Sequence, residues 1–310
     1  MSRHFLSGAE LDRATLGRLL ERAQELKAAP ARSHALAEKA IALIFERPST
    51  RTRVSFEVGI VELGGHPVVL RADELQLARG ESVRDTALVL SRQVAAIGLR
   101  SGSDQALAEL AQHASVPVFN MLTPREHPCQ ALADLLTIKE ACGRLEGLRL
   151  AYVGDATNVA RSLVRLGVLA GMEVALASPP GFALSPDEAR GLAEQMRAGA
   201  GCGRLVEVAL HSDPRAAAAG ANVLYTDVWV SMGDEESAAA RRRALEPYRI
   251  DDALLDLGAD GAFALHCLPA HPGEEITAEV LYGERQRIWE QAENRRHAQK
   301  ALLEWLLEAW

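Results

Sequence analysis

The sequence predicts an α/β protein made of two parallel-sheet domains joined by a linking helix, and three features carry that expectation. With 310 residues the chain suits two domains of roughly 150 residues better than one ordinary core. Short apolar runs alternate with stretches of helical spacing, the pattern of successive strand and helix units in a parallel sheet. That alternation is interrupted once, by a long helical stretch at 127–143 closed by Gly143, and then restarts. The expected domains are 1–143, completed by a C-terminal helix at 287–310, and 144–286.

The elements follow in order. Leu16, Leu19, Leu20, Ala23 and Leu26 recur at helical spacing among charges, so the N-terminal stretch reads as a folded helix, without the apolar core of a cleavable signal. IALIF (41–45) and PVVL (67–70) read as strands, with TRTRVSFEVGIVEL as the helix between them. ESVRDTALVLSRQV is helical, and AAIGL and PVFNM are strands with another helix between. Beyond HPCQALADLLTIKEACG come the strand-like LRLAYVG, EVALAS, LVEVAL, NVLYTDV and AFALHC. The last segment places Ile288, Ala292, Leu302, Leu303 and Leu306 on a helical pattern and is expected to pack back on the first domain. The longest irregular pieces, 71–81 and 228–237, are candidates for function, because long loops in compact domains are more often functional than idle.

Composition narrows the class. Hydrophobic residues make up 48% and charged residues 25%, which suits a globular protein, and no run of about 18 residues lacks charged or strongly polar interruptions, so no membrane partner is expected. A net charge of -8 argues against nucleic acid as the main partner while leaving room for a local basic pocket. Cys129, Cys142, Cys202 and Cys267 are scattered without a C-x-x-C pair, which fits a reducing cytoplasm better than a disulfide framework or a zinc site. The turn Gly154-Asp155-Ala156-Thr157-Asn158-Val159 follows a strand but lacks the later glycines that a dinucleotide pyrophosphate needs, which disfavours a dehydrogenase. His266, Cys267 and His271 could be taken for a metal cluster, yet the histidines lie five apart in a Pro-rich turn with no further Cys or His suitably spaced, so no metal is expected.

The chemistry-bearing strings sit at strand ends. Pro48, Ser49, Thr50, Arg51, Thr52 and Arg53 come directly after a strand and open a helix, where main-chain amides, hydroxyls and guanidinium groups can cradle a phosphate. Taken alone, Ser49 would merely cap the helix and the arginines would be solvated. Arg100 ends a strand and so lies at the carboxyl edge of its sheet, where such sheets bind ligands. His127 and Gln130 are three residues apart at the start of the linking helix, on one side of its first turn.

S-T-R-T-R, the lone Arg100, HPCQ at 127–130, Asp227-x-x-x-Ser231-Met232-Gly233 and HCLP at 266–269 occur in that order. Together they resemble the aspartate and ornithine carbamoyltransferase family over nearly the whole chain. HCLP marks the ornithine branch, since aspartate carbamoyltransferases carry H-P-L-P-R there. The resemblance implies an enzyme that moves the carbamoyl group of carbamoyl phosphate to the δ-amine of L-ornithine, giving citrulline and phosphate in arginine metabolism. It also implies an active site in the cleft between the domains, with neither metal nor organic cofactor. Carried over position by position, carbamoyl phosphate falls to Ser49, Thr50, Arg51, Thr52, Arg100, His127, Pro128, Cys129, Gln130, Cys267, Leu268 and Arg295, with Gln76 contributed by the neighbouring subunit of a homotrimer. Asn158, Asp227, Ser231 and Met232 fall to ornithine, and catalysis to Arg51, Arg100, His127, Asp227 and Cys267. Two departures stand out: the turn reads A-T-N where the family often has G-N-N, and Pro272 replaces a usually basic residue. The rival readings are a carbamoyltransferase for putrescine or N-acetylornithine, a binding protein that keeps the fold without turnover, and the dehydrogenase already disfavoured.

Overall fold

A computed structural model of the chain describes residues 3–29, 33–71, 75, 80–200, 208–230 and 237–309. The chain divides into two compact units, Met1–Leu136 with Glu293–Trp310, and Thr137–Ala292.

The first unit begins with α1 (Arg13–Ala28), whose start is fixed by the Asp12 carboxylate accepting from Thr15 N at 2.7 Å. That bond favours the charged form and holds the Asp12 carboxyl below its ordinary range. Strands and helices then alternate: β1 (Ala40–Phe45), α2 (Thr50–Glu62), β2 (His66–Arg71), α3 (Val83–Leu90), β3 (Ala96–Arg100), α4 (Asp104–His113), β4 (Val118–Leu122) and α5 (Pro128–Cys142). All pairings are parallel, in the order β2-β1-β3-β4. Buried on both faces, β1 carries an unbroken apolar run, as parallel strands require. Gly98 in β3 is needed for packing, because a Cβ there would lie 2.4 Å from the Phe119 ring. Leu75, the one described residue of 72–79, packs on the cluster that holds Ala42, Ile44 and Ala87.

The second unit contains β5 (Arg149–Val153), α6 (Asn158–Leu169), β6 (Glu173–Ala177), α7 (Pro186–Ala200), β7 (Val208–His211), α8 (Pro214–Ala218), β8 (Val223–Thr226), α9 (Ala238–Leu245), α10 (Asp252–Leu255), β9 (Phe263–His266) and α11 (Ala278–Tyr282). Its parallel sheet runs β7-β6-β5-β8-β9. The final helix, α12 (Ile288–Leu306), crosses the division between the units, as does α5. From Glu293 onward α12 belongs to the first unit, where the Arg22 guanidinium donates to both oxygens of the buried Glu304 at 2.6 and 3.1 Å and Lys300 Nζ donates to Glu62 at 2.6 Å.

Both sheets contain a point where the strand order reverses. In the first unit the chain leaves β1 toward β2 and returns on the other side with β3; in the second it leaves β5 toward β6 and returns with β8. Loops at the carboxyl ends of the strands flanking such a point diverge, which opens a crevice suited to a ligand. Among the described residues no helix is long and apolar enough to cross a membrane.

Candidate active site

In the first unit, the 49–53 string and Arg100 lie beside the reversal between β1 and β3. Phe45 pairs with Arg100 across these strands, so the 46–49 loop that leads into α2 and Arg100 leave the sheet side by side. Glu46 ties them together: its carboxylate accepts from Ser101 Oγ at 2.6 Å and Gly102 N at 3.0 Å, while its own N–H donates to the Arg100 carbonyl at 3.0 Å. Ser49 does cap α2, accepting from Thr52 N at 3.3 Å. A cavity of about 500 Å³ lined by Glu46, Arg47, Ser49, Thr50, Arg53 and Arg71 opens beside the loop. Arg53 turns instead to Glu57, with 3.2 Å between Nε and Oε1 one helical turn on.

Arg295 brings α12 to the same place. It is buried, and its two terminal nitrogens donate to Gln130 Oε1 at 2.6 Å and Thr52 Oγ1 at 2.7 Å. Gln130 Nε2 donates in turn to Asp134 Oδ1 at 2.8 Å, which fixes the amide so that its oxygen faces the arginine. His127 precedes α5 rather than lying in its first turn, and its carbonyl accepts from Gln130 N and Ala131 N at 3.0 and 3.2 Å. Burial, followed by the charges of Arg295, Arg100 and Arg51, holds the His127 ring well below its ordinary pKa. A neutral imidazole beside three guanidinium groups makes a locally positive pocket whose chemistry suits an anion. Cys129 points the other way, its Sγ donating to the Asn120 carbonyl at 3.2 Å, and burial pushes its thiol up to about 12. Its thiol thus stays protonated and packs in the core, and Pro128 has no N–H to offer.

The second unit builds its cluster at the reversal between β5 and β8. Thr226 and His266 are paired across β8 and β9, so the next residues, Asp227 and Cys267, emerge together. Cys267 Sγ donates to Asp227 Oδ1 at 2.9 Å; the same oxygen accepts from Val228 N at 2.8 Å, and Oδ2 accepts from Thr157 Oγ1 at 3.4 Å. Asn158 is the first residue of α6, beyond the turn that leaves β5. Gly154 opens that turn at φ 125, a conformation that favours glycine. Leu268, by contrast, holds φ 62 without being glycine. Donor atoms of Asp227, His266 and Cys267 lie within 4.8 Å of one another, a spacing a metal could use. Both ring nitrogens of His266 are already engaged, however, with Leu268 N and Glu275. Gln76, Ser231 and Met232 lie outside the described residues.

Residues 3–140 match the carbamoyl-P binding domain of aspartate/ornithine carbamoyltransferase, and residues 146–306 match the Asp/Orn binding domain of the same enzymes. The chain belongs to the aspartate/ornithine carbamoyltransferase family. Within that family it is 54% identical to an ornithine carbamoyltransferase of Acidothermus cellulolyticus, spanning 100% of this chain and 98% of the relative. An ornithine carbamoyltransferase of Methanospirillum hungatei is 46% identical over 99% of this chain and 100% of its own. Among solved structures, ornithine carbamoyltransferase from Pyrococcus furiosus superposes with a TM-score of 0.91 at 41% identity, covering 97% of this chain and 96% of that one. An acetylornithine transcarbamylase complexed with acetylcitrulline is more distant in sequence, at 30% identity and a TM-score of 0.85 over 98% of each chain. Two supports of the loops that carry these residues went unread in the sequence, Glu46 and Arg241. Arg241 Nε donates to the Trp229 carbonyl at 2.7 Å, and its guanidinium pairs with Asp155 and lies 5.0 Å from the Phe182 ring centroid. Both act across long sequence separations, for which a linear string offers no signal.

Proposed function

We infer that this chain transfers the carbamoyl group of carbamoyl phosphate to the δ-amine of L-ornithine, forming L-citrulline and phosphate. One observation supports this more than any other: Asp227 and Cys267, hydrogen-bonded at the ends of neighbouring strands, offer an acidic and a thiol group to an amine. The first unit supplies the complementary anion site. Arg51, Arg100 and Arg295 hold the phosphate with Ser49, Thr50, Thr52 and Gln130, while His127 donates to the carbamoyl oxygen as the carbonyl becomes tetrahedral. The neutral amine attacks the carbonyl carbon, the bond from that carbon to the phosphate oxygen breaks, and the proton lost from nitrogen leaves on the phosphate. Binding both reactants in attack geometry supplies the remaining advantage. Asn158, with Ser231 and Met232, holds the amino-acid end of ornithine, whose δ-amine meets Asp227, and Leu268 and Cys267 line the carbamoyl side.

Arginine metabolism in the cytoplasm is the setting this reaction suits. A homotrimer in which Gln76 reaches the neighbouring chain's carbamoyl phosphate is the expected assembly. Supporting an interface in the first unit, Val54, Val58 and Val61 recur at one-turn spacing on α2 and are exposed, as are Leu88 and Val89 on α3. A solution mass of three chains, or a multiple of three, checks the assembly, and a monomer contradicts it. The reaction itself is tested by mixing the purified chain with carbamoyl phosphate and L-ornithine and following both products. One citrulline per phosphate supports the assignment; phosphate release without citrulline overturns it.

A further inference from the structure

Beyond the groups assigned above, the turn that presents Cys267 and Leu268 rests on a buried carboxylate. The main-chain N–H of Leu268 donates to His266 Nδ1 at 2.8 Å. An amide can only donate, so Nδ1 carries no proton, and the proton of the neutral ring lies on Nε2. That nitrogen is 3.2 Å from Glu275 Oε1, a carboxylate oxygen that accepts it. The same oxygen accepts from His271 N at 2.5 Å, so one carboxylate grips both ends of the 266–271 turn. The chain returns to this position through a reversal in which Glu274 N donates to the His271 carbonyl at 2.9 Å. From behind, Gln291 Oε1 accepts from His266 N at 2.9 Å, and Gln291 Nε2 donates to Tyr225 Oη at 3.0 Å. His266 and Glu275 have side chains with no exposure at all. A buried carboxylate is costly unless its bonds do something, and here they hold Leu268 in the left-handed conformation that non-glycine residues avoid.

We propose that Glu275 is a positioning residue for carbamoyl transfer: it fixes His266 as the Nε2–H tautomer, His266 Nδ1 fixes the Leu268 backbone, and the turn thereby sets Cys267 against Asp227. This rests on the assignment of Cys267 and Asp227 to the ornithine amine. Without the carboxylate the ring is free to turn or to protonate at Nδ1, the Leu268 N–H loses its acceptor, and Cys267 leaves its register with Asp227. The phosphate end of the other substrate, held by the first unit, is unaffected.

The test compares Glu275→Leu, Glu275→Gln and Asp227→Asn with wild type for kcat, the KM for ornithine and the Kd for carbamoyl phosphate, alongside nitrogen NMR of histidine-labelled wild-type protein. Glutamine keeps an oxygen acceptor and is expected to stay within about threefold of wild type, because it can still take the Nε2–H and His271 bonds. Leucine is expected to raise the ornithine KM and lower kcat at least tenfold, with a smaller loss of carbamoyl phosphate affinity, since the turn lines only the carbamoyl side of that substrate. A folded Glu275→Leu protein with wild-type ornithine kinetics overturns the proposal, and so does a His266 ring protonated on Nδ1 in wild type, whether or not the leucine variant folds. Asp227→Asn separates this from the underlying assignment: if that variant keeps the wild-type KM for ornithine, the amine site itself is misplaced.

Discussion

At His127, burial and three guanidinium groups act in the same direction, and the ring is held neutral. The sign matters for the rate. A group whose pKa is lowered has already lost its proton at neutral pH, so His127 does not gate activity between pH 6 and 8. The proposed nucleophile, by contrast, is itself an ionising amine. A δ-amine with a lysine-like pKa near ~10.4 is only about one part in a thousand neutral at pH 7.4. Citrulline formation at ornithine far below KM is therefore expected to rise about tenfold per unit from pH 6 to 8; a flat profile would show that the neutral amine is not what attacks. In its proposed role Arg51 acts on charge that develops during reaction, so Arg51→Ala is expected to lower kcat by ~10²–10³ while changing the ornithine KM less than threefold. Turnover within threefold of wild type contradicts its role. These residues were legible in sequence because each lies within a few positions of a strand end, where backbone geometry alone decides what the side chain can reach. Glu46 and Glu275 were not, because a carboxylate's value lies in its partners, and Glu46 finds Ser101 from 55 residues away.

Among the elements, α12 does for the first unit what no single strand could. Its Glu304 is fully buried and takes two bonds from Arg22 and one from Ser33 Oγ at 3.1 Å. Glu304, first among the causes, holds the Arg22 guanidinium more firmly in its charged form. Arg22→Met leaves that carboxylate short of its two strongest donors and is expected to cost about 1–3 kcal/mol, read as a lower urea midpoint at unchanged slope. The exposed partner Glu25 should matter far less, since surface pairs contribute about 0–1 kcal/mol; equal losses from Arg22→Met and Glu25→Gln contradict the account. The strands were readable from sequence as apolar runs, because parallel strands are covered on both faces. The short helices α8, α10 and α11, of four or five residues, were not. One turn is too short to display a 3.6-residue period, so packing rather than pattern determines them.

Across the whole molecule, the same topological device appears twice. Each sheet reverses its strand order once, and the groups proposed for the chemistry stand near these reversals: Arg51 follows β1 and Arg100 ends β3, with His127 after β4, while Asp227 and Cys267 follow β8 and its neighbour β9. Strand order was not legible in the sequence, because alternation of strands and helices fits several parallel arrangements equally well. The register of a few strands, Phe45 with Arg100 and Thr226 with His266, converts the fold into function. On the proposed mechanism, substrate choice depends on the second unit, where the acceptor amine meets Asp227 and Cys267. Comparing kcat/KM for L-ornithine, putrescine, N-acetylornithine and L-aspartate at saturating carbamoyl phosphate tests that claim most directly. The account predicts that L-ornithine exceeds every other acceptor by at least about 10²-fold, the discrimination a site built to bond substrate polar groups readily reaches. An equal or higher value for any of the other three would contradict it.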